Sequence, residues 1–220
     1  MGRNFEPMIN KNIIEFLRRT GFNPMASACG GITAGADYDC EAPIVAGVNS
    51  RLLLGNLDDI ELITYNVATP SIIENIEMLP TKAMFAFQGV RQSLTPSYEL
   101  VPGTISVGYN HIVNFLAFDI NQAAKDNYEK MALGKLFAIV ENKNAIGNGD
   151  SVFETYGIGV GLEAASMSRL ASDTETGGAF SIGLQTPEAE GKEPKLPQSF
   201  FDTSYAATLL LVDALLIPAV

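Results

Sequence analysis

The sequence of 220 residues predicts a mainly β protein, an antiparallel β-sandwich or barrel with one internal α-helix at about residues 120–133. Three observations support this fold class. From residue 51 onward, apolar residues recur mainly at every second position, between turn residues such as Gly, Pro and Asn. One segment of this region carries helix start and stop signals. The apolar content of 47% is enough to build a buried core in a chain of this length.

The chain divides into three predicted regions: an N-terminal arm at residues 1–28, a β-domain at residues 29–208 and an apolar C-terminal tail at residues 209–220. The arm contains "INKNIIEFLRRTG", residues 9–21, with Asn10 as a helix cap and a glycine past its end. We expect a short amphipathic helix there, and its apolar side chains could pack on the chain's own body or on another subunit. Those side chains are the candidate inter-subunit contacts Ile13, Ile14, Phe16 and Leu17.

The first part of the β-domain is predicted to contain two hairpins. One pairs residues 51–56 with 60–66 across "LDD". The other pairs residues 71–79 with 82–89 across "PT". The last of these strands has an apolar face typical of a half-buried antiparallel strand, made of Ala83, Phe85 and Phe87.

The longest predicted strand is "ISVGYNHIVNFLAFD", residues 105–119, which follows a proline-containing loop at residues 90–104. A strand of this length spans roughly 50 Å, so it must bend or extend beyond one small core. The internal helix comes next. Asp119 and Gln122 form its predicted capping box, and Gly134 follows its end.

Three further strands are predicted after the helix. "KLFAIVEN", residues 135–142, is apolar on both faces, which favours burial on both sides. The other two are "SVFETYGIGVGLE", residues 151–163, and "GAFSIGLQT", residues 178–186. The connection at residues 186–197 is polar and rich in proline, and we expect it to have room to touch a neighbour.

The motif "GIGVG" resembles part of a dinucleotide-binding loop, but Leu162 stands where that fingerprint requires a glycine. A strand accounts better for the spacing. Gly157, Gly159 and Gly161 recur at every second position and would share one face of a strand, which another strand or subunit could approach closely. We therefore take these three glycines as candidate inter-subunit contacts.

Composition limits the partners and the compartment. The chain has 14 basic and 25 acidic residues, a net charge of −11. Residues 1–24 hold four basic and two acidic residues, net +2, so the remainder carries −13. An acidic body disfavours binding to nucleic acid, because phosphate contacts need clustered Lys and Arg. Cys29 and Cys40 are too few for a disulfide framework, and no signal-peptide pattern opens the chain, so we expect reduced thiols and synthesis in the cytoplasm.

The most apolar segment, "AATLLLVDALLIPAV" at residues 206–220, is too short to span a bilayer and contains Asp213 and Pro218. We expect no membrane as a partner. The segment is predicted to need a protein surface instead, with Leu211 and Leu215 as candidate inter-subunit contacts.

No residue pattern predicts an enzyme, a cofactor or a metal site. His111 is the only histidine, so zinc binding or histidine-dependent nucleophilic catalysis would depend on this one residue, which we take as an ordinary strand residue. Glu74 and Glu77 could form a glycosidase pair, but they fall on opposite faces of a strand, and the chain has no Trp to line a sugar-binding cleft.

The order of the segments along the chain is also informative. It begins with Cys29-Gly-Gly and "DYDCEAP" and continues through "FQG", "FLAFDI", "FETYGIGVGL" and "GGAFSIGLQT". Its most specific parts are "LGKLFAIVENK" and "EPKLPQSFF". Over roughly residues 29–208, this order resembles that of tail tube proteins of tailed bacteriophages. Residues 1–24 are not part of the resemblance.

The resemblance implies two packed antiparallel sheets with one helix alongside. It also implies a homo-oligomer, in which six subunits close into a ring whose joined sheets form one continuous barrel. Stacked rings would make a tube in the virion tail, assembled in the host cytoplasm and in contact with other tail proteins. Genomic DNA would pass through the tube during ejection without specific binding. Such a subunit needs strand edges that pair with neighbours, and no catalytic group.

Two other classes of function remain open. One is another ring-forming component of a tail or injection system, such as a tail terminator, a baseplate hub or a secretion tube. The other is a carbohydrate-binding β-sandwich.

Overall fold

The computed structural model is mainly β, with antiparallel sheets, as the sequence predicts. The residues that it describes are 47–90, 93–102, 107–143, 149–188 and 192–217. All of them belong to one compact unit. The predicted arm and the boundary between residues 28 and 29 lie outside the described residues, as do Ile13, Ile14, Phe16 and Leu17.

Five strands form the larger sheet. They are β1 (Val48–Asn56), β4 (Phe85–Gln88), β7 (Leu136–Asn142), β8 (Phe153–Tyr156) and β11 (Gln198–Ser199). Their order across the sheet is β11-β8-β7-β1-β4, and every neighbouring pair is antiparallel. The first five residues of β7 are all buried, which confirms that this strand is covered on both faces.

Four strands form the second sheet. They are β5 (Leu94–Pro102), β6 (Val107–Ala117), β9 (Glu163–Arg169) and β10 (Phe180–Gln185). Their order is β5-β6-β10-β9, again antiparallel throughout. The long predicted strand is confirmed as β6, with 11 residues. The predicted loop at residues 90–104 is wrong, since β5 occupies most of it. β5 can contain Pro96 and Pro102 because it is an edge strand. At an edge, a residue without an N–H need not interrupt the hydrogen bonds between strands.

The main core lies between these two sheets. Leu52 of β1 and Val140 of β7 belong to one buried apolar cluster with Val113 of β6 and Ile182 of β10. The predicted internal helix is confirmed as α1, Gln122–Met131. It adds to this cluster the side chains Ala124, Tyr128 and Met131.

The cap of α1 differs from the prediction. The side chain of Asn121, not Asp119, accepts the N–H of Ala124 at 2.8 Å. Asp119 instead accepts a hydrogen bond from the Asn121 side chain at 2.7 Å, so it orients the cap. Gly134 does not lie in the left-handed region that a glycine helix cap usually adopts.

A second core covers the other face of the five-stranded sheet. Strands β2 (Ile60–Tyr65) and β3 (Ile73–Met78) form a two-stranded sheet, and helix α2 spans Tyr205–Ala214. Leu53 of β1 and Phe137 of β7 pack there with side chains from β3 and α2. Because the five-stranded sheet has a core on each face, its central strands are apolar on both faces.

The two predicted hairpins are wrong, although their strands exist. A 3-10 turn at Leu57–Asp59 connects β1 to β2, but β1 pairs with β4 and β7, whereas β2 pairs with β3. β1 is buried on both faces from Leu52 to Leu54, so it takes a central position that a simple hairpin cannot provide. In β4, Phe85 was predicted to face the core but is 62% exposed, whereas neighbouring Met84 is buried.

The predicted apolar tail is, in its described part, helix α2 packed on the chain's own core. Ser204 caps the helix by accepting the N–H of Ala207, and the helix runs across the predicted boundary between residues 208 and 209. Leu215 is only 7% exposed, and Leu211 packs against the same cluster, so both contact their own chain. Leu210 is instead 72% exposed. Neither described helix is long and apolar enough to cross a membrane.

Candidate assembly surface

One face of the four-stranded sheet belongs to the core, and the other faces away from it. On β6, His111, Val113 and Phe115 are buried, and Asn114 between them is exposed. Because side chains alternate along a strand, the register of the sheet assigns the remaining outward positions. The polar residues at outward positions are Thr95, Ser97, Glu99, Asn110, Asn114, Glu163, Ser166, Ser168, Ser181 and Gln185.

The four strands place carboxylates on this outward face but no Lys or Arg. Arg169 is the only Lys or Arg in the four strands. Its guanidinium lies 5.4 Å from the ring centroid of Phe180, whose side chain packs against the core, and its Nε donates to the oxygen of Gly178 at 2.7 Å. Within the four strands, the charges on the outward face are those of Glu99 and Glu163. At the margin of the face, the Lys192 side chain lies over Gly108 of β6. Such a face repels phosphate.

In the described part of the chain, both edges of this sheet are open. Among the described strands, β5 pairs only with β6, and β9 pairs only with β10. An edge strand presents unpaired N–H and C=O groups, which favour pairing with another chain unless something covers them. Both edges are long, with nine residues in β5 and seven in β9.

The "GIGVG" motif is a loop rather than part of a strand. Strand β8 ends at Tyr156, so the prediction of one strand over residues 151–163 is wrong. The backbone φ angles of Gly157 and Gly161 are +70° and +99°, in a region that glycine adopts without strain and other residues rarely adopt. The three glycines therefore do not form one bare strand face.

The loop holds a carboxylate of its own chain. The backbone N–H groups of Gly159, Val160 and Gly161 all donate to the Glu193 carboxylate, at 2.8 Å for Val160 and at 3.1 to 3.3 Å for the glycines. Glu193 is buried, and a Cβ on Gly159 would lie 2.6 Å from its Oε2 atom. Successive N–H groups that converge in this way form an anion-binding concavity. Close approach by a carboxylate, and not by another strand, accounts for Gly159.

His111 connects the same loop to the segment that carries Glu193. It is 2% exposed, its Nδ1 accepts the N–H of Gly157 at 3.1 Å, and its Nε2 lies 3.0 Å from the oxygen of Lys195. An Nδ1 that accepts leaves the proton on Nε2, which donates to Lys195. Burial lowers the pKa of His111 to about 4, so the ring is neutral at pH 7. The sequence predicted an ordinary strand residue at position 111 and did not predict that His111 links the loop to Lys195.

Further contacts hold residues 192–198 against the body. Glu193 exchanges backbone hydrogen bonds with Tyr109 at 2.9 Å in both directions, which extends the pairing of β6. The ammonium of Lys195 lies 5.2 Å from the ring centroid of Tyr65, and Gln198 donates to the oxygen of Ser71 at 3.1 Å. This part of the predicted connection therefore packs on its own chain.

This cluster has structural rather than catalytic features. Both ring nitrogens of His111 are engaged by backbone groups, so neither is free for a substrate or a metal ion. Burial, together with the nearby Glu154 carboxylate, raises the pKa of Tyr156, whose ring packs edge-on against His111. Among the described residues, no group of three or more His, Cys, Asp or Glu side chains could hold a metal ion.

A groove of about 940 Å³ opens at the end of the sandwich between β4, the end of β6 and α1. Its walls are about equally polar and apolar, and the apolar part includes Phe85, Phe87 and Tyr128. The candidate assembly surface thus consists of three parts: the outward polar face, the two open edges and this groove. No family model, curated protein or solved structure matches the chain.

Proposed function

We propose that the protein is the subunit of a phage tail tube, in which six copies close into a ring through β5 and β9, and stacked rings form a conduit for DNA in the virion tail. The observation that carries the proposal is the four-stranded sheet, which has two edges that pair with no other described strand and whose strands place no Lys or Arg on the outward face. The order of segments that resembles tail tube proteins supports the same function and suggests the number six.

Strand direction is compatible with ring closure. In the order β5-β6-β10-β9, all neighbours are antiparallel, so β9 runs opposite to β5. When identical subunits stand side by side in the same orientation, β9 of one copy meets β5 of the next in an antiparallel pair. The ring then closes every edge of these sheets.

The size of such a ring suits a DNA conduit. Six copies of four strands give 24 strands. At about 4.8 Å between strands and a tilt of about 40°, the barrel has a backbone diameter of roughly 45–50 Å. Side chains reduce the bore, and enough width remains for a duplex.

The chemistry of the outward face suits passage rather than binding. If this face lines the bore, it presents mostly polar side chains, the carboxylates Glu99 and Glu163, and the apolar side chains Val101, Ile112 and Leu116. DNA-binding surfaces hold phosphate with clustered Lys and Arg. The four strands of this face place no Lys or Arg outward, and Lys192 lies at its margin. A weakly negative wall keeps DNA hydrated and mobile. The proposed function requires no catalytic step.

Electron microscopy and light scattering of the purified protein test the proposal. At tens of micromolar, we expect six-fold rings and stacked tubes, because head-to-tail contacts between rings have no closed end point. Single rings without tubes would favour a tail terminator or baseplate component. A monomer at every concentration would overturn the proposal, and glycan binding by that monomer would favour the carbohydrate-binding alternative.

A further inference from the structure

We propose that, in the assembled ring, the turn that follows β9 of one copy docks in the groove between β4 and α1 of the next copy, with Leu170 as its apolar anchor. This inference rests on the proposed function, because it places two copies side by side through β9 and β5.

The groove has the features of an unfilled protein contact. Its wall on one side is β4, which pairs only with β1 among the described strands, so the outer edge of β4 is open. Phe85 and Phe118 line the groove, and both side chains are exposed although they are large and apolar. Exposed apolar side chains that line one concave surface indicate a docking site.

The groove lies beside the edge at which the next copy would pair. A short connection joins β4 to β5, and it is held by hydrogen bonds from Gly89 to Ser50 and from Leu116 to Ser93. The open edges of β4 and β5 therefore lie at the same corner of the sandwich. A copy that adds its β9 to β5 reaches this corner.

Strand direction then selects the part of the second copy that arrives there. β5 begins at Leu94, which pairs with Phe115 near the end of β6. In an antiparallel pair, the end of one strand meets the beginning of the other. Arg169, the last residue of β9, thus falls beside the start of β5, and the next residue, Leu170, reaches the groove.

The turn itself is suited to docking. Leu170 is 63% exposed. The turn is held by its own hydrogen bonds, from the Asp173 N–H to the Leu170 oxygen at 3.1 Å, and from the Glu175 N–H and the Thr176 hydroxyl to the Asp173 carboxylate at 2.9 and 2.8 Å. A turn that is already ordered loses little entropy on binding.

One pair of opposite charges would face across this contact. Exposed Glu175 lies on the turn, and Lys130 of α1 lies on the groove wall. Asp119, also on the wall, accepts a hydrogen bond from Asn121 and keeps its negative charge, so the Lys130–Glu175 pair is the attractive one. Opposite charges across an interface promote correct pairing more than they add affinity.

Cysteine cross-linking between two full-length preparations tests the contact. In a background with Cys29→Ser and Cys40→Ser that is first shown to assemble, one preparation carries Leu170→Cys and the other Phe85→Cys. After mixing, assembly and mild oxidation, we expect a disulfide-linked heterodimer. The matched control replaces Phe85→Cys with Leu133→Cys, because Leu133 is 92% exposed but does not line the groove. Equal cross-linking at both positions would overturn the contact.

Charge reversal gives a second, independent test. Lys130→Glu and Glu175→Lys should each raise the concentration needed for ring formation several-fold, and the double variant should restore it. Leu170→Asp should weaken rings more than Leu133→Asp, with unchanged circular dichroism for both. Intact rings that are indifferent to Leu170→Asp and Phe85→Glu would overturn this inference and leave the proposed function standing. No rings from the unaltered protein would overturn both.

Discussion

At the residue scale, His111 shows how a buried imidazole ties a loop to a strand. Its ring connects the "GIGVG" loop to Lys195, and burial lowers its pKa to about 4 from 6.5. Because the folded pKa lies below the unfolded one, the unfolded chain takes up a proton first as the pH falls. The stability that depends on neutral His111 is therefore complete above pH about 6.5 and is lost between about 6.5 and 4.

We expect the free energy of unfolding to fall by about 2 kcal/mol between pH about 7 and about 5 through this one group. Urea unfolding at several pH values measures the change. A His111→Gln variant should be less stable at pH 7 and should lose most of this pH dependence. If the free energy of unfolding of the variant depends on pH as steeply as that of the unaltered protein, then groups other than His111 cause the dependence.

Glu193 and Gly159 form a second residue-scale pair. A side chain on Gly159 would displace the carboxylate from the N–H groups of the loop, so Gly159→Ala should cost about 1–3 kcal/mol. Gly134→Ala is the matched control, since its added Cβ would meet no atom closer than 3.6 Å. Denaturant unfolding of both variants checks this. Equal stability of the two would show that the carboxylate contact contributes little.

At the element scale, the two faces of α2 make different contacts. The sequence predicted Leu211 and Leu215 of this apolar segment as inter-subunit contacts. In the structure, both pack against the core of their own chain, and Leu210 is exposed. An apolar helix surface outside the core is itself typical of a surface that becomes covered.

A matched pair of leucines separates these roles. Leu215→Ala removes buried apolar volume and should cost about 2–5 kcal/mol, whereas Leu210→Ala should change stability by less than about 0.5 kcal/mol. Thermal or urea unfolding of the two variants gives the comparison. A similar loss from both would mean that Leu210 is buried in the protein as it exists in solution, and repeating the measurement over a range of protein concentrations would show whether another copy buries it.

At the scale of the whole molecule, the outward face of the four-stranded sheet predicts how assemblies treat DNA. Asn114→Lys with Ser181→Lys places cations at the centre of that face, where both side chains are exposed. Tubes of this variant should bind DNA, and the binding should weaken steeply as salt rises, because it depends on released counterions.

Leu210→Lys with Ile217→Lys is the control for the outward face, because it adds the same charge at exposed positions of another surface. Co-sedimentation of DNA with assembled protein measures binding, with circular dichroism as the check on folding. Stronger DNA binding by the control than by the sheet variant would argue against a bore lined by this face.

The sequence by itself determined the elements whose signals are local. β6, β7, β10 and α1 were predicted because each needs only its own periodicity and end signals, which neighbouring residues carry. It also determined the acidic balance of the chain and the lack of a recognisable catalytic pattern. The sequence does not decide the N-cap of α1, because Asp119 and Asn121 stand two residues apart and both suit a helix start.

Only the tertiary structure decided which elements and residues meet. β1 pairs with β4 and β7 because burial on both faces requires a central place in the sheet, and no local signal distinguishes that place from a hairpin. Glu193 reaches the "GIGVG" loop across more than 30 residues, and His111 reaches Lys195 across 84. Such contacts follow from packing of the whole chain, because the loss of entropy on closing a long loop is repaid only when many contacts form together.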